Sequence, residues 1–325
     1  MSVRNTFPQQ RPTLNLDFAN SKTLDPRITF TRTSTATYVD EDGLIKSVDA
    51  DVARFDHDPV TGECLGLLVE EGRTNLTKNS GTLFDYSNTR VSNNTISTGG
   101  PFGTGYHEKT ITDANTSNYN FHTSNQISIT SGQTITFSIF FRNVDITNNQ
   151  FYLRFWTGTG RAWTTTRQVR YNLTNLTTSV SSGTIVNSSI QPFPDDWYRL
   201  SMTATADQDG FTADSFYTSS NSVGEKYQLM GAQVEVGTFP TSYIPTSGST
   251  ATRSPDSVSM TGDNFSDWYN QSEGSIYCSA YNVGVTTTTS RFFYAIEDAS
   301  APSSDFMRQW IWLSLIHISE PTRPY

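Results

Sequence analysis

From about Leu76 to Asp256 the chain alternates apolar and polar residues with a period of two, not the 3.6-residue period of a helix. Thr134–Phe141, Gln150–Trp156, Gln168–Leu173, Trp197–Ala204 and Lys226–Glu235 all hold this pattern. An alternating strand buries one face and wets the other, so a long series of them stacks as two antiparallel sheets around a shared core. Polar turns closing on glycine separate the strands, at Thr157–Gly160, Ser181–Gly183 and Asp207–Gly210. Many short strands with such turn signals predict an all-β chain, with a jelly-roll β-sandwich over residues 76–256. No segment reads as an amphipathic helix.

Composition narrows the function classes. Only 16% of the 325 residues are charged, where an ordinary domain has about a quarter. With 20 Phe, 15 Tyr and 6 Trp, the chain is nevertheless too aromatic to be disordered. The net charge is −9, with no cluster of Lys and Arg to displace counterions from phosphates, so no nucleic-acid partner is expected. No apolar run is long enough for a membrane-spanning helix, and the first residues lack the apolar core of a secretory signal. Cys64 and Cys278 lie far apart and predict neither a disulfide framework nor a zinc site.

Two further blocks flank the sandwich. Residues 1–75 form a small β module, with short strands expected at Leu14–Phe18, Ile28–Arg32, Ala36–Val39 and Leu65–Val69 and turns at Asp40–Gly43 and Thr61–Gly62. A new series begins at Ser257–Met260 and continues through Gly274–Ala280 and Arg291–Ile296. These strands are too few for a sandwich, so 257–312 reads as the truncated start of a second one. Leu313–Arg323 resembles the translation of a sequencing-library adapter, and 313–325 is therefore expected to be an artefact.

Catalytic patterns are weak. His57, His107 and His122 stand in no nucleophile, metalloprotease or nucleotide motif. Of the acidic clusters, Glu70 and Glu71 are neighbours on one strand and face opposite ways, while Asp195-Asp196 and Asp40–Asp42 fit turns. No enzyme activity is expected of this chain. The aromatic pattern points instead to sugar stacking, which needs a flat ring on an exposed sheet face and a hydrogen-bonding rim. Trp156 and Trp163 bracket a glycine-rich turn bearing Arg161. Alternation puts Tyr152 and Arg154 on the face of Trp156, leaving Phe151, Leu153 and Phe155 for the core. Phe216-Tyr217 is a second aromatic pair beside a Ser/Asn-rich loop. The candidate glycan contacts are thus Tyr152, Trp156, Arg161, Trp163 and Tyr217, whereas Trp197 reads as packing. No cofactor is called for; such sandwiches can hold a structural Ca²⁺, but no ordered Asp ladder identifies a site.

Longer motifs carry a family resemblance. Phe30–Asp40 with Asp42-Gly43, then Arg54–Asp56, then Gly66–Leu76, resemble the N-terminal module of tailed-phage tail-fibre and head-spike proteins. Asp196–Arg199, Gly231–Glu235, Thr241–Thr246 and Thr252-Arg253 are similar to the carbohydrate-binding-module-like sandwich that follows it. Asn264–Gly274 resembles the opening of a concanavalin-A-like lectin domain. The resemblance implies a virion appendage that meets host surface polysaccharide, associates with other virion proteins and forms a homotrimer. It implies scaffold roles for most of the motif residues. A fragment of a polysaccharide depolymerase or glycosidase whose catalytic domain is missing, and a purely structural connector, are the alternative readings.

Overall fold

The computed structural model describes residues 12–83, 86–114, 121–123, 126–212, 214–220, 222–279, 292–297 and 306–310. Its contacts divide into two units, Met1–Ser272 and Glu273–Tyr325.

The first unit begins with a single helical turn, α1 (Phe18–Ser21), where alternation predicts a strand over Leu14–Phe18. Local polar chemistry overrides the pattern here. The Asp17 carboxylate accepts from the Asn20 backbone and side-chain nitrogens at 3.4 and 2.7 Å, and Lys22 ends the turn in the left-handed region at φ 50°. Six short strands follow: β1 (Thr29–Thr31), β2 (Ala36–Val39), β3 (Ile45–Val48), β4 (Arg54–His57), β5 (Cys64–Leu68) and β6 (Arg73–Asn75). They give the hairpins β2–β3 and β4–β5. The first closes at the turn predicted for Asp40–Gly43, where Asp40 Oδ1 accepts from Leu44 N at 2.8 Å.

The sandwich strands come next. They are β7 (Tyr86–Asn88), β8 (Val91–Ile96), β9 (Tyr106–Ile111), β10 (Phe121–Thr123), β11 (Ile127–Ile129), β12 (Thr134–Asn143) and β13 (Phe151–Phe155). After these run β14 (Arg167–Asn172), β15 (Thr177–Ser182), β16 (Asn187–Phe193), β17 (Trp197–Thr205), β18 (Gly210–Thr212), β19 (Asp214–Thr218) and β20 (Lys226–Val236). Twelve of them form two six-stranded antiparallel sheets. Sheet A has the order β15-β14-β13-β19-β10-β7, and sheet B has β16-β17-β12-β20-β9-β8. At most positions the two orders hold chain neighbours (β15 with β16, β13 with β12, β19 with β20), so the chain passes repeatedly from one sheet to the other. The fold is an all-β jelly-roll sandwich, as the alternation predicts. Among the described residues only α1 and α2 (Asp263–Ser266) are helical.

The core follows from the alternation. Ile135, Phe137, Ile139 and Phe141 of β12 meet Phe151, Leu153 and Phe155 of β13, all fully buried, with Leu200, Met202 and Val234 beside them. Gly231 supplies a bulge within β20 at φ 61°, where the β12 register shifts between Ser138 and Phe140. Asp195 and Asp196, at φ 57° and 59°, lie with Pro194 in the three-residue loop of the β16–β17 hairpin, a use that matches their reading as a turn.

Sheet B has no wet face along its central strands. Phe140, Trp197 and Met230 form a second apolar cluster with Ile45, Phe193 and Tyr243, so Trp197 is packing as expected. Polar residues on the same side are buried as well: Thr136, Ser138, Gln233 and Glu235 are at most 2% exposed. Thr136 Oγ1 donates to Gly237 O at 2.9 Å and Ser138 Oγ accepts from Arg199 Nη2 at 3.0 Å, while Gln233 and Glu235 find partners in the segment that crosses the sheet. Glu235 accepts from Thr241 N and Oγ1 at 2.9 and 2.8 Å, and Gln233 Oε1 accepts from Ile244 N at 2.7 Å.

An ionic joint ties residues 32–75 to the chain that follows the sandwich. Asp256 takes Arg32 Nη1 at 3.1 Å, Arg54 Nη2 at 2.5 Å and the Glu70 backbone N–H at 2.8 Å. Glu70 takes Arg54 Nη1 at 2.8 Å and both donors of Ser242. Burial alone would push the Glu70 carboxyl up, but the guanidinium groups of Arg253 and Arg54 and the Ser242 bonds outweigh it and hold it below its ordinary range. Beside this joint β21 (Ala251–Arg253) pairs with β6. The motif residues Arg54, Glu70, Arg199, Glu235 and Arg253 are therefore structural.

β22 (Ser257–Ser259), in the stretch read as the start of a third domain, pairs with β1. Residues 274–279 form no strand, contrary to the expectation for Gly274–Ala280; Ala280 lies outside the described residues. In the second unit β23 (Phe292–Glu297) runs antiparallel to β24 (Phe306–Trp310). The stretch from Leu313 onward lies outside the described residues.

Candidate functional site

The outer side of sheet A is buried along β19 and reaches solvent in part along β13 and β14, and β13 supplies its centre. Because Phe151, Leu153 and Phe155 point into the core, Tyr152, Arg154 and then Trp156 must project outward. Cross-strand register adds the rest. Tyr152 stands opposite Tyr217 and Arg170, and Arg154 opposite Ser215 and Gln168. Residues directly opposite on an antiparallel pair share a face, so these side chains form one patch.

Its geometry is tight. The Tyr152 and Tyr217 rings stack with centroids 4.5 Å apart and planes 6° from parallel. The Arg154 guanidinium carbon lies 4.4 Å from the centroid of the Trp156 ring and 4.3 Å from that of Tyr217. Arg154 Nε donates to Gln168 Oε1 at 2.6 Å, and its Nη2 donates to the Tyr217 hydroxyl. Trp156 Nε1 donates to Ser215 Oγ at 2.9 Å, and the Tyr152 hydroxyl donates to Gln150 Oε1 at 2.9 Å. The result is a row of planar groups with fixed rotamers. Tyr152, Trp156 and Gln168 are half-buried and Arg170 is exposed, while Arg154 and Tyr217 lie almost wholly beneath them. Such a patch offers rings and hydrogen-bonding groups to a neutral polar ligand.

Three expected residues are corrected. Trp163 is only 1% exposed and stacks on Phe155 at 5.0 Å and 4°, so it belongs to the core and offers no platform. The cause is the turn between the two tryptophans. Arg161 N bonds Gly158 O at 3.0 Å, Ala162 N bonds Phe211 O at 3.1 Å, and the chain is drawn back across the end of the sandwich. Arg161 sits on that turn, half-buried and bridged to Phe211, apart from the hydrogen bonds of the Arg154 patch. Tyr217, at 3% exposure, supports Tyr152 from below and is not an open ring. Phe216 is core. The patch also includes Gln168, Arg170 and Ser215, which reading single segments misses. The signal that finds them is the pairing of β13 with β14 and β19.

The other titratable groups serve the scaffold. His57 is buried with Nδ1 3.0 Å from Val39 O. Asp56 accepts from Val39 N at 2.7 Å, and burial pushes its carboxyl up to about 6. Lys109 donates to Asn88 and Asn93 at 2.7 Å each, and burial lowers its ammonium to about 8. The His122 side chain lies outside the described residues. Among the described residues no group of three or more His, Cys, Asp or Glu could hold a metal ion, and no helix is long and apolar enough to cross a membrane.

The class these features define is an all-β sandwich with an aromatic and polar outer sheet face. No family model and no curated protein matches the chain. Solved structures give distant likenesses. The xylan-binding CBM22-1 domain of Paenibacillus barcinonensis Xyn10C is 12% identical with a TM-score of 0.32, over 52% of this chain and 97% of that one. The CBM22-1 and GH10 modules of a Clostridium thermocellum endo-1,4-beta-D-xylanase are 9% identical with a TM-score of 0.32, over 50% and 28%. The enzymatically active domain of tailspike protein 4 from bacteriophage CBA120 is 11% identical with a TM-score of 0.30, over 50% and 21%.

Proposed function

We propose that this chain is a virion appendage protein, of a tail fibre or head spike, that binds host surface glycan through the outer face of sheet A. The observation that carries the reading is the ordered row Tyr152, Arg154, Trp156. Tyr152 is held by its stack on Tyr217, and Trp156 by the Arg154 guanidinium, which is itself fixed by Gln168 and Tyr217. A pyranose presents an apolar C–H face and a rim of hydroxyls, which suits rings flanked by Gln168, Arg170 and Gln150. Rotamers fixed in advance lower the ordering cost of a weak contact. The order of the N-terminal and sandwich motifs, which resembles that of phage fibres, supports the virion setting. The experiment is a glycan array probed with the full chain and with Trp156→Ala. Binding to a bacterial surface polysaccharide that is lost in the variant is expected; no binding to any, or binding indifferent to the variant, overturns the assignment of this face.

A further inference from the structure

Charge is unevenly spread along this chain. Between Asp145 and Asp195 there is no Asp, Glu, Lys or His, yet there are four arginines, Arg154, Arg161, Arg167 and Arg170, in a molecule whose net charge is −9. Arg167 pairs with Asp207 at 2.6 Å, and Arg161 sits on its turn apart from the aromatic row. Arg154 and Arg170 remain, both on the outer side of sheet A. Arg154 stands opposite Gln168 and Arg170 opposite Tyr152, so the two are diagonal neighbours on adjacent strands, about 7–8 Å apart. Among the described residues neither has a carboxylate partner; Arg154 bonds Gln168 and Tyr217, and Arg170 bonds Ser179. The strands of sheet A carry one acidic residue, Asp214, which stands opposite Phe155 and is fully buried.

Two like charges on neighbouring strands, with no carboxylate between them, disfavour folding. The arrangement is understandable if an anion meets them, and Tyr152 shows where. One face of its ring is covered by Tyr217 of β19, 4.5 Å away and 6° from parallel. The other face is turned toward β14, where Arg170 stands directly opposite. Arg170 is exposed and leans away from that ring: its Nε donates at 3.2 Å to Ser179 Oγ, on the far side in β15. An open ring face thus looks across about one strand spacing, roughly 4.8 Å, toward an exposed guanidinium.

We infer that the glycan bound by this face is acidic, and that the sugar lying on Tyr152 is a uronic acid whose carboxylate is held by Arg170. The inference rests on the glycan reading of the outer face proposed above. The rings and amide groups alone suit a neutral sugar; the charge pattern narrows the choice. A uronic acid carries its carboxylate on a ring carbon, at the rim of the same pyranose whose C–H face stacks, so one sugar spans both groups. With Nε given to Ser179, the Nη edge of the planar Arg170 fork is left for the two carboxylate oxygens. Arg154, beneath the row, adds positive potential without touching the ligand. The negative charge elsewhere on the chain opposes this little, because exposed charges more than about 8 Å apart are largely screened at physiological salt. In the loops at the Gln150 end, Glu225 is already engaged by Thr147 and Ser220.

The test begins with an array of bacterial surface polysaccharides probed with the full chain. The strongest ligand is then compared in two forms, native and with its carboxyl groups reduced to primary alcohols by carbodiimide and borohydride. Titration calorimetry at low and at high sodium chloride gives affinities for the wild type, Arg170→Gln and Trp156→Ala. The strongest ligand is expected to bear uronic acid, and its native form to be preferred over the reduced one by about tenfold or more at low salt. That preference should shrink at high salt and fall below about threefold in Arg170→Gln, whose melting temperature stays that of the wild type. A neutral strongest ligand, one charged only by phosphate or sulfate, or a preference that survives in Arg170→Gln overturns the inference. If Trp156→Ala still abolishes binding in those cases, the glycan face stands without it. Binding to nothing on the array, or binding indifferent to Trp156→Ala, overturns both.

Discussion

Asp256→Ala removes the acceptor on which the ionic joint turns. Asp256 is fully buried, and it pairs with two guanidinium groups whose side chains are equally buried, Arg32 and Arg54. It also accepts the Glu70 backbone N–H. Truncation strands charge in the interior: Arg54 keeps Glu70, Thr37 O and Ser242, whereas the Arg32 guanidinium loses the one carboxylate it pairs with among the described residues and keeps backbone carbonyls. Breaking a buried pair by removing one partner costs about 3–5 kcal/mol, and an unmet backbone N–H adds about 1 kcal/mol or more. The expected loss is therefore about 4–6 kcal/mol, or a fall in melting temperature of roughly 10–20 °C for a unit of this size. Urea unfolding followed by tryptophan fluorescence measures it, since Trp197 lies in the cluster that the N-terminal hairpins help to cover. Asp256→Asn, which keeps an acceptor but not the charge, should fall between Ala and wild type. A loss below about 1 kcal/mol for Ala would refute the view that this joint holds the hairpins to the sandwich.

Three other expectations follow from single sites. Asp56 has its carboxyl raised to about 6 by burial, so the folded state binds its proton more tightly than the unfolded chain does. Its contribution to stability is complete below its ordinary value near 4, fades as pH rises through 6, and amounts to at most about 3 kcal/mol given partial exposure. Denaturation midpoints between pH 4.5 and 7.5, compared with Asp56→Asn, check the slope; a wild type whose stability rises over that range relative to the variant contradicts the sign. Trp163→Ala empties a core position and should cost about 3–5 kcal/mol, whereas Trp156→Ala, on the outer face, should cost about 1 kcal/mol. Equal losses in thermal melts would remove the distinction between the two tryptophans. Gly231→Ala places a Cβ 2.9 Å from Phe140 and 3.0 Å from Phe102 at φ 61°, and should cost about 2–3 kcal/mol; a neutral melt argues against the bulge.

How much could be read from the sequence varies with the range of the forces involved. The two-residue period of β12, β13 and β17 assigns inner and outer faces correctly, because burial on one side is decided within each strand, whereas in β20 the bulge at Gly231 shifts the inner set from Tyr227 and Leu229 to Ala232 and Val234. The same period misleads over sheet B. Thr136, Ser138, Gln233 and Glu235 look solvent-facing by type, yet hydrogen bonds with Gly237, Arg199, Ile244 and Thr241 offset their burial. At Leu14–Phe18 alternation fails because a one-turn cap at Asp17 is stronger than a five-residue pattern. In the site, Tyr152 and Trp156 are legible from alternation along β13. Trp163 is not, since the turn at Gly158–Arg161 turns the chain inward. Gln168, Arg170 and Ser215 join the patch only through cross-strand register, which one segment cannot disclose.

The most direct test of the glycan face is calorimetric titration of the array-selected polysaccharide into the full chain and into Trp156→Ala, Tyr152→Ala and Arg161→Ala. Loss of affinity by about tenfold or more in Trp156→Ala and Tyr152→Ala, equivalent to about 1.4 kcal/mol each, with Arg161→Ala unchanged, is the predicted result. Undiminished affinity in the first two variants, with folding intact, would contradict the assignment of the sugar to the outer face of sheet A.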